Sequence, residues 1–184
     1  MSYSLRILPT LALAALLAGC ASGVTRMEAP AASGSAAASA APSAPLADRS
    51  VKAVTIRLSD DAKKLVSENL KFNPESLRST VERALSGQTL VKPDATQTLD
   101  IEITSFRTRS NFSAIMFGFM AGSDNVEGII TVKDAAGAVL KRAKITASYA
   151  LGGFGGGQDD ARMNWLYEEF AKLTVADLSG VAAK

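Results

Sequence analysis

An α+β domain is what this sequence predicts: a two-layer sandwich in the order β-α-β-β-β-α, with a mainly antiparallel sheet and helices on one face. Three observations predict it. In TLDIEITSF, Leu99, Ile101 and Ile103 alternate with Asp100, Glu102 and Thr104, the period of a half-buried strand. NPESLRSTVERALSG carries the start and stop signals of an amphipathic helix, and a second helical pattern follows Asp159. Helices interleaved with alternating strands pack as a layer on a sheet whose other face meets water. With 184 residues, 47% of them apolar, the chain supports one such domain with appendages.

The chain opens MSYSLRILPTLALAALLAGC. Arg6 precedes an apolar run from Ile7 to Leu17, shorter than the roughly 20 residues a membrane-crossing helix takes. It fits the core of an export signal, residues 1–19. Leu17-Ala18-Gly19-Cys20 looks like a lipobox. Small side chains before the cut suit a protease pocket, and a thiol is the nucleophile that takes the lipid. The expectation is cleavage between Gly19 and Cys20, with covalent diacylglycerol and an N-acyl lipid on Cys20. This is the only cysteine, so no intramolecular disulfide forms. By resemblance to sorting in Gram-negative bacteria, Ala21 rather than aspartate after the cysteine implies the outer membrane, periplasmic face. Residues 20–48 are dominated by small side chains and proline, too little apolar surface to offset their ordering entropy. They read as a disordered tether with a span on the order of 30 Å. The globular part, residues 49–184, then stands clear of the membrane.

In VKAVTIRLS, Val54, Ile56 and Leu58 alternate with Thr55, Arg57 and Ser59, which predicts the first strand. DDAKKLVSENLKF leaves open one or two helical turns or an irregular connection. Asn73 as N-cap, Pro74 at the first helical position, Glu75 near the positive helix end and Gly87 as the stop frame the next helix, with Leu77, Val81, Ala84 and Leu85 on one stripe. Residues 97–109, 126–134 and 139–151 read as a three-stranded meander, Asp134 to Gly137 turning the hairpin. The first strand and the one beginning near Thr96 require a crossover connection, expected right-handed. In the closing helix Met163, Leu166, Tyr167, Phe170, Leu173 and Leu178 recur near helical spacing up to Gly180. Trp165 falls off that stripe, at the edge of the core.

The chain has no histidine, which together with the single cysteine removes the usual zinc, iron and copper ligands and the histidine-based triads. No metal or catalytic residue is predicted, and the chain reads as a non-enzyme. Apart from Arg6, 19 of the 20 basic side chains remain against 18 acidic ones, so no electrostatic footprint for nucleic acid exists. The adjacent pairs Asp60-Asp61, Asp159-Asp160 and Glu168-Glu169 read as caps and solvated faces, since helical neighbours point about 100° apart. A cell-wall hydrolase would need carboxylates joined by the fold, such as Asp100 or Glu102 with Glu127. GGFGGG, residues 152–157, precedes a helix but lacks the lysine and Ser/Thr of a phosphate loop, and Gln158 stands where a third glycine belongs.

NFSAIMFGFMAG, residues 111–122, is an apolar run between polar segments. In an up-down-up meander this connection and GGFGGG emerge at the same end of the sheet. Phe112, Ile115, Met116, Phe117, Phe119, Met120 and Phe154 then share one rim. Exposed, they form an interaction surface for protein or lipid; covered, they are a satellite of the core.

From Ser76 to Gly180 the pattern SLRSTVERAL, LDIEITSF, VEGIITVKDAAGAVLKRAKITASY and a final helix resembles the YajG-like group of bacterial lipoproteins. By fold it is also similar to the TolB N-terminal and CsgG-type α/β modules. The resemblance implies a lipoprotein held by its lipid anchor, whose periplasm-facing, non-catalytic domain binds an envelope protein partner, self-associates or aids envelope assembly. It carries over no catalytic residue. An oligomeric, membrane-inserting or secretion-type lipoprotein using residues 111–122 is the alternative.

Overall fold

Alternation along three central strands gives the sheet one apolar face, and the helices are built to cover it. The computed structural model describes residues 22–27, 49–68, 71–110, 122–150 and 159–180. Its elements are β1 (Gly23–Met27), β2 (Ala53–Leu58), α1 (Asp60–Glu68), α2 (Pro74–Gly87), β3 (Thr98–Arg107), β4 (Asp124–Lys133), β5 (Val139–Tyr149) and α3 (Asp159–Ser179). The sheet order is β1-β5-β4-β3-β2, antiparallel except where β2 lies parallel to β3. The fold is α+β with a mainly antiparallel sheet.

The pairing register lines up the inward row. Val54 lies beside Leu99, Ile56 beside Ile101, Ile101 beside Ile130, and Ile130 beside Ala143. Leu99, Ile101, Ile103, Val126, Val132, Ala143, Ile145 and Ala147 are fully buried, joined from the helical layer by Leu77, Val81, Leu85, Leu166 and Phe170. A bulge at Thr104 shifts the β3 register between Ile103 and Ser105, which carries Phe106 back to the inward face. Phe72 stacks on Phe106 with ring centroids 4.9 Å apart and meets Tyr167 edge-on at 5.8 Å. The Tyr167 hydroxyl accepts from the backbone N–H of Asn73 at 2.7 Å, tying the start of α2 to α3. Gly128 exists for space: a Cβ there would lie 3.0 Å from Phe170 Cζ and 3.1 Å from Ile103 Cδ1.

The ends of α2 follow the sequence with one difference. Asn73 Oδ1 accepts from the N–H groups of Glu75 and Ser76, and Pro74 opens the helix. Gly87 is the last helical residue, but the left-handed position that ends the helix belongs to Thr89, at φ 58°. Leu90 N–H reaches Leu85 O at 2.9 Å and Thr89 N–H reaches Ser86 O at 3.0 Å, the bond pair of a Schellman motif. The β4–β5 turn matches its prediction: Gly137 has φ 84°, and the Asp134 carboxylate accepts from the N–H groups of Ala136 and Ala138.

Two elements correct the predicted order. DDAKKLVSE forms α1, capped by Ser59 Oγ on the N–H of Ala62 at 3.2 Å and held by buried Ala62. A helix this short draws its stability from packing rather than periodicity, which is why the sequence alone leaves it open. The second correction concerns the tether. Gly23–Met27 pairs antiparallel with β5, Val24 facing Ile145 and Met27 facing Arg142. The open edge of β5 offers backbone groups that need partners, and β-branched Val24 and Thr25 suit a pleated edge. Residues 20–48 therefore do not form one disordered tether; their early part is a strand of the domain, whose boundary is not residue 49.

Candidate functional site

The loop-bearing end of the sheet is set by strand direction. β3 runs toward it and ends at Arg107, β4 leaves it at Asp124, β5 returns to it at Tyr149, and α3 departs from it at Asp159. The described residues that flank these connections, Arg109, Gly122, Tyr149 and Asp159, thus lie at one end of the sheet. The predicted surface residues Phe112, Ile115, Met116, Phe117, Phe119, Met120 and Phe154 lie outside the described residues, as do Gly19 and Cys20. What the structure places is the base from which those loops spring.

That base is an ion cluster. Asp124 occupies an inward position of β4, in the same alternation as Val126 and Ile130, and is fully buried. Its Oδ1 accepts from the backbone N–H of Arg109 at 2.5 Å, and its Oδ2 from Arg109 Nη2 at 3.1 Å. Arg162 Nη1 lies 3.4 Å from the same Oδ2. The guanidinium of Arg109 also donates to Gly122 O at 2.8 Å and to Tyr149 O at 3.3 Å, while Arg162 Nη2 donates to Arg109 O at 3.2 Å. Arg109 and Arg162 are 4% and 3% exposed, so water screens none of this. Each loop root is thereby fastened: Arg109 and Gly122 for one loop, Tyr149 and Arg162 for the other. Beside the cluster, Lys71, Thr108, Asp124, Arg162 and Met163 line a shallow crevice with no interior room.

Nothing in the polar loop segments sets these three residues apart from solvated charges. A signal exists in periodicity: Arg162, Leu166 and Phe170 are spaced by one helical turn each on the buried stripe, and Asp124 shares the parity of Val126, Gly128 and Ile130. A charge at a core position calls for a buried partner.

The carboxylates that a hydrolase would need all lie on the other face of the sheet, each beside a cation. Asp100 pairs with Lys133 at 2.5 Å, Glu102 with Arg57 at 3.1 Å and Glu127 with Lys144 at 2.7 Å. The helix pairs behave as solvated faces: Asp60 and Asp61 meet Lys63 and Lys64 one turn on, and Glu168 meets Arg83. The hydrogen bond from Lys63 holds Asp60 below the usual carboxylate range, and Arg78 does the same for Glu75. Among the described residues no group of three or more metal-ligating side chains gathers, and no helix is long and apolar enough to cross a membrane.

Among the described residues Trp165 is the large apolar side chain left open, at 40% exposure, with its ring 5.0 Å from that of Tyr149. It lies at the core edge, as its offset from the α3 stripe predicts.

Comparison with known proteins finds no match among curated sequences. Among solved structures, two of the PelC dodecamer from Paraburkholderia phytofirmans are similar at a distance. One is 14% identical with a TM-score of 0.46, spanning 89% of this chain and all of that one; the other is 15% identical with a TM-score of 0.42, spanning 87% and 98%. A domain-family model, the domain of unknown function DUF4410, matches residues 35–153, more than half of the chain. The chain therefore belongs to the DUF4410 family.

Proposed function

We propose that this protein is an outer-membrane lipoprotein, anchored through acylated Cys20, whose periplasm-facing domain is a non-catalytic module for envelope binding or assembly. Its working surface is the end of the sheet that bears the connections 110–122 and 150–158. The observation that carries this reading is the buried Arg109, Asp124 and Arg162 cluster, which fastens the roots of both connections into one rigid base. A phenylalanine- and methionine-rich sequence between roots fastened in this way suits recognition of an apolar partner. The lipobox supplies the location, and the ion-paired carboxylates of the opposite face suit a solvated wall better than general acid–base work.

The test is site-specific photo-crosslinking in a Gram-negative host. Probes replacing Phe117 or Phe154 are expected to form defined adducts with lipid or an envelope protein. A probe at Thr55, on the exposed face, serves as control. Equal labelling from all three positions, or none from the loops, contradicts the reading.

The alternative, a self-associating lipoprotein that inserts residues 111–122 in the membrane, gains support from one observation. The chain enters β1 at the same end as the loops, Gly23 facing Thr146 near the end of β5.

A further inference from the structure

We infer that the loop-bearing end of the domain lies directly against the bilayer surface, with Trp165 and Tyr149 at the level of the lipid headgroups. This rests on the proposed acylation of Cys20 and names the occupant of the surface described above.

β1 is antiparallel to β5, so it begins where β5 ends: Gly23 pairs with Thr146 and Met27 with Arg142. Ser22 extends the contact, its Oγ accepting from Ser148 N–H at 2.9 Å and donating to Ser148 O at 3.3 Å. Ser22 is thus fixed one residue from Tyr149, the ring on which Trp165 rests. Only Ala21 separates Ser22 from Cys20. Two residues span at most about 7 Å. The headgroup layer on one side of a bilayer is about 5–8 Å thick. A lipid whose chains begin at Cys20 therefore cannot hold this end of the domain far from the headgroups. The long small-residue segment, residues 28–48, follows β1 and joins it to the strands at the far edge of the sheet, so it adds nothing to the leash.

The chemistry at that end fits the partner. Indole and phenol rings with one apolar side and one polar tip concentrate at membrane–water interfaces. Trp165 is the large apolar side chain exposed among the described residues, and it stands at this end rather than elsewhere. Charges at this end are of both signs, Lys71 and Arg107 against Asp160, so the attraction comes from the lipid and the rings rather than from a basic patch.

Trp165 is the only tryptophan in the chain, so its fluorescence reports directly. The full acylated chain is bound to vesicles of phosphatidylethanolamine and phosphatidylglycerol, with and without lipids brominated near the top of the acyl chain. The expected result is a blue-shifted emission that loses about half its intensity to the brominated lipid. A flexible glycine/serine insert of about 20 residues between Ala21 and Ser22, with a span near 25 Å, should keep vesicle binding and lose the quenching. Mass spectrometry of the N-terminal peptide separates the two layers of the account. A Cys20 without lipid sinks the lipoprotein reading itself. An acylated, vesicle-bound chain whose Trp165 emission is unmoved by bromine overturns the apposition alone, and so does quenching that survives the insert undiminished.

Discussion

Thr89 shows how far one residue can depart from the preference of its position. It sits at the left-handed site of the α2 C-terminal motif, where glycine meets no Cβ clash and a β-branched side chain does. Replacing Thr89 by Gly is expected to raise unfolding stability by about 1 kcal/mol, read from a urea melt, since relieved strain exceeds the added chain entropy. The reverse holds at Gly128. A methyl there meets Phe170 and Ile103 inside contact distance, so Gly128→Ala is expected to lower stability by about 1–3 kcal/mol in the same measurement. Tyr167 adds a pH dependence. Burial pushes its phenol above the ordinary tyrosine value, against the opposing pull of the hydrogen bond from Asn73 N–H. A raised folded value means the native state holds the proton longer. Its contribution is therefore complete below about pH 10 and lost as pH climbs through the folded value. Tyr167→Phe should flatten that alkaline loss, at a cost of about 1 kcal/mol at neutral pH from the N–H left without its acceptor.

At the scale of elements, the loop-root cluster is where a single change costs most. Asp124→Ala leaves two buried guanidinium groups without their shared carboxylate, and a loss of about 3–5 kcal/mol is expected from denaturant midpoints. Protease cuts within 110–122 should appear in the variant at concentrations that spare the parent chain. The regular elements around it were legible in advance. β3, β4 and β5 alternate cleanly because one face is buried and the other wet, and α2 carries its cap in Asn73 and its stripe in Leu77, Val81 and Leu85. β1 was not legible. Five residues in a stretch of alanine, serine and proline offer too short a period to stand out, and only the unfilled edge of β5 makes them a strand. α1 was half legible, its caps present and its packing face too small to decide. The cluster itself escaped because charges beside loops resemble solvated ones, although the placement of Arg162 on a core stripe marked it.

For the whole molecule, the N-terminal strand changes the geometry of anchoring. A lipidated cysteine followed by a long free segment would allow the domain to wander over tens of ångströms; under the proposed acylation of Cys20, Ala21 and the strand that follows would set which end faces the membrane. Trp165, the N-terminal entry and the roots of the Phe- and Met-rich connection then belong to a single end of the domain, and the charged face of the sheet, with Arg57, Asp100, Glu102, Lys133 and Lys144, stands roughly perpendicular to it. Everything in that picture hangs on the cysteine. The most direct measurement is mass spectrometry of the N-terminal peptide of the mature protein isolated from bacterial membranes. The account predicts a peptide that begins at Cys20 and carries the mass of a diacylglycerol and an N-acyl chain. A peptide that retains Leu17-Ala18-Gly19, or begins at an unmodified Cys20, would contradict it.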